Sequence, residues 1–479
     1  MHPPEDWKRA YLPLVPILAL GYYLAFIPHA GYPYAVHVDE WVHLYNAEAM
    51  LSAGSTTFTS FLDGERVLGL SSNLEAGFHL FIGIFQRISG LDWMTIFRYF
   101  PGVIFMVTVL SVFALARREG YGWQAALFTC LIPTTAGILG PGFLVPVSLG
   151  LLFIPLLLFL AFNFRSVASY LGIFIFTSFL LSIHAPTAVV IATILIPFIL
   201  LGVKGDFRHS ALVTFAVAIP FLVPFPWIYR LLLPTAIELL RPVPPRDWIE
   251  IPRVLFTYGI IGVALALLGV FLLAIRGGRQ NLSLALALLF LTVMLAAFYT
   301  LHHGIPIMYD RGLQYMMLLV SIVAGAGLSG LAGLKLPAKL NRIPPKLFSQ
   351  TGKALCLIVI VVMLVIAIPQ RQNTNYYQMI DREDYLAFTW VRDNLGDSYP
   401  RAVLDPWKAT AFAAITQKAI YTRIHAYPGP EDKEVYEFLE KGSEDTGFLR
   451  QNDIGIVYSR SPVTNPDLEE VRKFVYVMR

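Results

Sequence analysis

Directly after the first long apolar run the sequence reads HVDEWVHLYNAEAMLSAG over residues 37–54. The adjacent carboxylates Asp39 and Glu40 make this the sharpest local signal in the chain. His43 follows one helical turn later. Glu75 and His79, in LEAGFHLFIGIFQRIS (74–89), are further pocket candidates in the same loop. Read as a helix, 37–54 sets Val38, Val42, Tyr45 and Ala49 on an apolar stripe and Asp39, His43 and Asn46 on the opposite one. Such a helix lies against a membrane with its carboxylates at the outer boundary. Acids at that level are costly unless paired or hydrated, which makes them functional candidates. A plain interfacial helix whose acids face water gives the same periodicity.

A second chemistry needs cations. On the topology derived below, every outer-side cation before residue 370 is an arginine: Arg66, Arg87, Arg98, Arg230, Arg241, Arg246, Arg253 and Arg311. The guanidinium fork suits phosphate oxygens. Arg311, in MYDRGLQYM with Tyr309 and Asp310 beside it, is the first candidate for a phosphate clamp, and Arg241 or Arg246 the second. A snorkelling helix anchor paired with Asp310 would produce the same pattern at Arg311. His302 and His303 end a span on that side, where capping and phosphate binding are both open. His184, in SIHAPTA, sits at the outer mouth of another span, and Glu238 lies in a later external loop. No Cys/His cluster has metal-site spacing. Cys130 and Cys356 both lie in apolar runs, so no disulfide framework is expected.

The elements that must carry these residues follow from composition. The 479 residues are 56% hydrophobic and 14% charged, against about 25% charged in soluble proteins. A bilayer accounts for that excess. The net charge of +4 is small for this length, and no dense basic stripe exists, which argues against a nucleic-acid partner. Candidate spans are 11–28, 97–116, 122–138, 143–163, 167–183, 186–203, 210–230, 254–275, 281–301, 311–333 and 354–369. No small-x-small cleavage site follows the first, so it reads as a retained helix. Segment 74–89 is short and carries Glu75, His79, Gln86 and Arg87; it reads as an interfacial amphipathic helix. With Lys8 and Arg9 inside, eleven spans place Arg117, Arg118, Arg165, Lys204, Arg208, Arg276, Arg279 and the run Lys335 to Lys353 in the cytoplasm, as the positive-inside rule requires. A twelfth span at 74–89 would break that pattern.

The expected architecture is therefore a polytopic α-helical membrane domain, residues 1–369, with a long first external loop at 29–96, followed by a small external α/β domain at 370–479. Long loops in compact folds are usually functional. In the C-terminal domain, 381–394 has helical spacing. RAVLD (401–405), AIYTR (419–423), IGIVYS (454–459) and FVYVM (474–478) read as strands, with helices at about 407–416 and 431–441. Trp407, Lys408, Tyr421 and Arg423 form its notable polar-aromatic group, for which packing is the ordinary role. No Gly-rich phosphate loop is present.

The run DEWVHLYNAEAMLSAG resembles the first-loop motif of the GT-C superfamily of membrane glycosyltransferases, and most of all its protein O-mannosyltransferase and aminoarabinose-transferase branches. The matching positions are Asp39, Glu40, Ala47, Leu51 and Gly54. The stretch 58–90 is similar to the second interfacial helix of those enzymes and its approach, and 98–120 to their next span, which ends in a basic pair. The resemblance covers residues 1–120 in order. The Pro-Pro pair usual at the second interfacial helix is here replaced by Asn73-Leu74-Glu75.

What the resemblance implies is sugar transfer from a polyprenyl-phosphate donor to a protein, lipid or glycan acceptor on the external face, among membrane lipids. Asp39 would be the general base and Glu40 a second acid. If the likeness is instead to the oligosaccharyltransferase branch, Asp39 and another acid would hold a divalent cation, magnesium or manganese. The alternatives are a transporter or flippase for a lipid-linked or polar solute, or a non-catalytic scaffold. Transporters often show repeated halves and mid-membrane charges; here no repeated halves are found, almost no charge lies mid-span, and the acids crowd one external loop.

Overall fold

The computed structural model describes residues 11–62, 66–68, 74–132, 140–226, 229, 233–234, 237, 241–242, 258–303, 306–333, 345–374, 376–396, 398–424 and 428–479. In chain order the elements are α1 (Leu14–Phe26), α2 (Val38–Ala53), β1 (Phe58–Ser60), β2 (Arg66–Leu68), α3 (Ala76–Ser89), α4 (Trp93–Arg117), α5 (Gly122–Leu131), α6 (Pro146–Asn163), α7 (Val167–Ile183), α8 (Ala185–Gly202), α9 (Phe207–Leu222), α10 (Ile260–Arg276), α11 (Arg279–Leu301), α12 (Pro306–Ala332) and α13 (Pro345–Gln372). Then come α14 (Arg382–Asn394), β3 (Arg401–Val403), α15 (Ala409–Thr416), β4 (Ala419–Ile420), α16 (Pro430–Glu440), α17 (Thr446–Gln451), β5 (Ile454–Tyr458), β6 (Leu468–Arg472) and β7 (Val475–Met478). These form two compact units. One comprises residues 1–28 and 99–375, the other 29–98 and 376–479. The first external loop thus groups with the C-terminal domain, where the sequence reading attached it to the membrane domain.

In the first unit each expected span contains a helix. Among the described residues, six helical stretches are long and apolar enough to cross a membrane: α4, α6, α8, α11, Tyr309–Ala332 of α12 and Gln350–Gln372 of α13. The apolar helices α1, α7, α9 and α10 are shorter. The expected span 122–138 yields the ten-residue α5, and 133–139 lie outside the described residues. Leu357, Ile358, Val365 and Ile366 on α13 are exposed, the surface a hydrocarbon solvent would cover. Residues the charge rule assigned to one side do meet at one end of this unit. Asp206 pairs with Arg165 at 2.7 Å and with Arg279 at 3.4 Å, and Asn281 donates to Glu119 at 3.0 Å.

Close helix approach in this unit depends on glycine. A Cβ on Gly269 of α10 would stand 2.0 Å from the Val323 carbonyl oxygen of α12, and one on Gly327 of α12 would stand 2.1 Å from that of Leu265. Small residues at such crossings let two backbones touch, the main source of helix association in lipid. Valine at either position should therefore force the pair apart. The expected cost is about 1–3 kcal/mol, read as a lower thermal midpoint and less monodisperse protein in detergent, whereas Gly31→Val, in open space, should change neither.

The second unit is built on a five-stranded sheet of order β4-β3-β5-β7-β6. β3 pairs in parallel with β4 and β5; β7 runs antiparallel to both β5 and β6. The expected strands are present, and β6 and α17 are additional. Val403, Val435, Phe438, Leu449, Ile454 and Val457 fill part of the core. The Asp384 carboxylate is buried and compensated by Lys408 Nζ at 2.9 Å and Arg460 Nη2 at 2.8 Å, since an unpaired buried charge would be prohibitive. The first-loop segment packs onto this domain. The Tyr32 hydroxyl donates to the Ile380 carbonyl at 2.7 Å, Tyr34 stacks on Tyr385 at 4.8 Å, and Arg423 Nε donates to the Leu62 carbonyl at 3.3 Å. With Lys408 on Asp384, Tyr421 donating to Glu434 and Trp407 against Tyr377, the polar-aromatic group is engaged in packing contacts.

Candidate functional site

The carboxylate pair sits on the first turn of α2. His37 caps the helix in extended backbone (φ −124°, ψ 150°), and its Nδ1 accepts from the Asp39 N–H at 3.1 Å. Glu40 Oε2 accepts from the N–H groups of Val36 and His37 at 2.7 and 3.2 Å. This reciprocal cap uses the donors a helix start leaves unpaired. Glu40 is fully buried, and its Oε2 closes the helix start. The Asp39 side chain stays 38% exposed, with Oδ2 3.9 Å from His37 Nδ1. Burial lowers the His37 pKa below its ordinary value, and the Asp39 charge opposes that.

The opposite-stripe reading of α2 fails at two positions: His43 and Asn46 are buried. His43 points to α3, where Glu75 is the N-cap residue and His79 lies one turn on. His43 Nδ1 stands 2.9 Å from His79 Nε2 and 4.0 Å from Glu75 Oε2. Each of the three residues offers one ligand atom, and these atoms all lie within 4.8 Å of one another. The sequence reading found no metal-type spacing because His43 is remote from the pair along the chain. The i, i+4 relation of Glu75 and His79 was the one local signal.

Burial pushes the His79 imidazole down to about 3, so it is neutral at pH 7. The unfolded chain protonates this histidine near 6.5, and the folded chain does so only near 3. Folding stability should therefore fall as pH drops below 6.5, by about 1 kcal/mol at pH 5.5. Thermal midpoints of chelator-treated protein between pH 7.5 and 5 check this; the slope should flatten in His79→Gln.

The second cluster lies in the first unit. Arg311 Nη1 donates to His184 Nε2 at 3.2 Å. His184 Nδ1 is 2.7 Å from Thr187 Oγ1 and 3.3 Å from the Tyr315 hydroxyl, which is itself 2.8 Å from Thr187 Oγ1. His184, Thr187 and Tyr315 are buried. The sequence reading chose Arg311 and His184 separately and missed Thr187 and Tyr315, although each lies one helical turn from its partner. Among the described residues no ion pair joins Arg311 to Asp310 or any other carboxylate, and Arg311 Nε has no hydrogen-bond partner. The anchor pairing with Asp310 is thus not found.

Tyr309 lies elsewhere. With Leu313, Met316 and Val320 it lines an apolar cavity of about 480 Å³ between α10, α11 and α12, on a different face of α12 from Arg311 and Tyr315. His302 ends α11 in left-handed backbone (φ 49°), with its ring 5.8 Å from Tyr299. His303 Nδ1 lies 2.5 Å from the Leu301 carbonyl oxygen. Arg241 is exposed, and its neighbour Pro242 bridges to His303. Arg246 and Glu238 lie outside the described residues.

No protein-family model and no curated protein matches the sequence. Solved structures do match it. The oligosaccharyltransferase of Archaeoglobus fulgidus in its apo form aligns at 12% identity with a TM-score of 0.64, over 95% of this chain and 70% of that one. The archaeal oligosaccharyltransferase AglB from Archaeoglobus fulgidus, in complex with an inhibitory peptide and a dolichol-phosphate, aligns at 13% identity with a TM-score of 0.62, over 94% of this chain and 69% of that one. ArnT from Cupriavidus metallidurans bound to undecaprenyl phosphate aligns at 14% identity and 0.52, over 91% and 88%. An apolar helical bundle and a likeness along nearly the whole chain agree: this protein has the GT-C fold.

Proposed function

We propose that this chain is a multi-pass membrane glycosyltransferase. It transfers a sugar from a polyprenyl-phosphate donor to an acceptor at the external face, with its N-terminus cytoplasmic. The observation that carries the reading is the division of labour on the first turn of α2. Glu40 closes the helix, and that leaves the adjacent Asp39 carboxylate half-exposed on a rigid backbone. Neighbours of this fold that hold dolichol-phosphate and undecaprenyl phosphate support a lipid-phosphate donor.

The chemistry then needs few parts. The acceptor's hydroxyl or amine attacks the anomeric carbon while Asp39 takes its proton. The bond from that carbon to the phosphate oxygen breaks, and its electron pair leaves with the lipid phosphate. The departing charge calls for a cation, for which Arg311, bonded to His184 within the first unit and paired with no carboxylate among the described residues, is the candidate. One displacement inverts the anomeric centre and needs one base. The test is transfer of label from radioactive polyprenyl-phosphate sugars in membranes containing the chain, with the anomeric configuration of the product read by NMR. No transfer from any donor of a sugar panel would sink the proposal; retained configuration would sink the single displacement.

A further inference from the structure

We propose that His43, Glu75 and His79 form a binding site for one divalent transition-metal ion, for which zinc is the best match. The argument is one of convergence. A hydrogen-bonded histidine pair needs only two nitrogens facing each other. Here the same His43 Nδ1 faces both His79 Nε2, at 2.9 Å, and Glu75 Oε2, at 4.0 Å. Three groups thus close on one point. Ligand atoms around a tetrahedral zinc stand about 3.3 Å apart, so small side-chain rotations bring all three into range.

The donor set selects the metal. Two imidazoles and one carboxylate suit zinc, iron or manganese and poorly suit magnesium, which demands oxygen ligands. The surroundings fit a bound ion as well. His43 and His79 are 6% and 2% exposed, whereas the Glu75 side chain is 28% exposed and opens the site to water. All three ligands sit on regular helix or at its cap, so the site is held on rigid elements. The ion would tie the start of α3 to α2 one turn beyond Asp39, on the helix that positions that carboxylate. The inference does not rest on sugar transfer.

The experiment uses the full chain in detergent, stripped with chelator, dialysed against micromolar zinc and analysed by mass spectrometry for metal. About one equivalent is expected per chain, lost in His43→Gln and His79→Gln and weakened at least about tenfold in Glu75→Gln, as for a lost ligand. Asp39→Asn should keep its equivalent. Cobalt in place of zinc should give the intense visible bands of a four- or five-coordinate site. No zinc in the parent, or undiminished zinc in all three ligand variants, overturns the site. Loss in Asp39→Asn with retention in the others overturns the ligand set. Should the histidine variants fail to fold, Glu75→Gln and the cobalt spectrum decide, and the weak bands of a six-coordinate aquo ion count against it.

Discussion

Asparagine in place of Asp39 will lower sugar transfer by at least about a hundredfold, the range for loss of a general base, while the protein stays folded. The substitution keeps size and hydrogen-bonding reach but cannot accept the acceptor's proton. Folding should survive because the cap of α2 runs through His37, Glu40 and the Asp39 backbone N–H rather than the Asp39 side chain. Size-exclusion profile and thermal midpoint should match the parent, and initial rates in membranes report the chemistry. Glu40→Gln gives the contrasting signature: a weaker cap costing about 1 kcal/mol, with transfer per folded molecule nearly unchanged. If Asp39→Asn retains parental rates, Asp39 is not the base.

Removal of the guanidinium at Arg311 should have the next largest effect. Arg311→Met is expected to lower kcat about a hundredfold, as for loss of one preorganised donor to a developing negative charge, because that charge forms as the phosphate leaves. Arg311→Lys should recover only part, since an ammonium supplies charge without the planar fork that lets one guanidinium bond His184 and phosphate together. The split between the constants is diagnostic. A group that acts on the leaving phosphate lowers kcat and kcat/KM together, whereas one that only binds donor raises KM. A KM effect alone would make Arg311 a docking residue.

The two clusters differ in how far they could be read from the chain. Asp39 and Glu40 were visible as a pair because adjacent acids after a long apolar run are unusual. Their unlike roles were not visible. Which carboxylate turns back onto the helix start depends on backbone dihedrals at His37 and on the exposure each side chain retains. His43 was assigned to the polar stripe because periodicity sees one helix at a time; the helix α3 that buries it comes from a separate segment. Arg311 and His184 were each found by type and position near span ends. Their contact joins α12 to the junction of α7 and α8, and no spacing rule encodes it.

The sequence by itself determined the membrane class, the helical segments, the common end of Arg165, Asp206 and Arg279, and the α/β character of the C-terminal domain. These follow from composition and short-range periodicity, which act over one or two turns of chain. Only the tertiary structure decided that the first loop groups with the C-terminal domain, that Glu40 is spent on a cap, and that His43, Glu75 and His79 converge. Those outcomes depend on which faces of distant segments exclude water against each other, and packing is settled by the whole set of contacts at once.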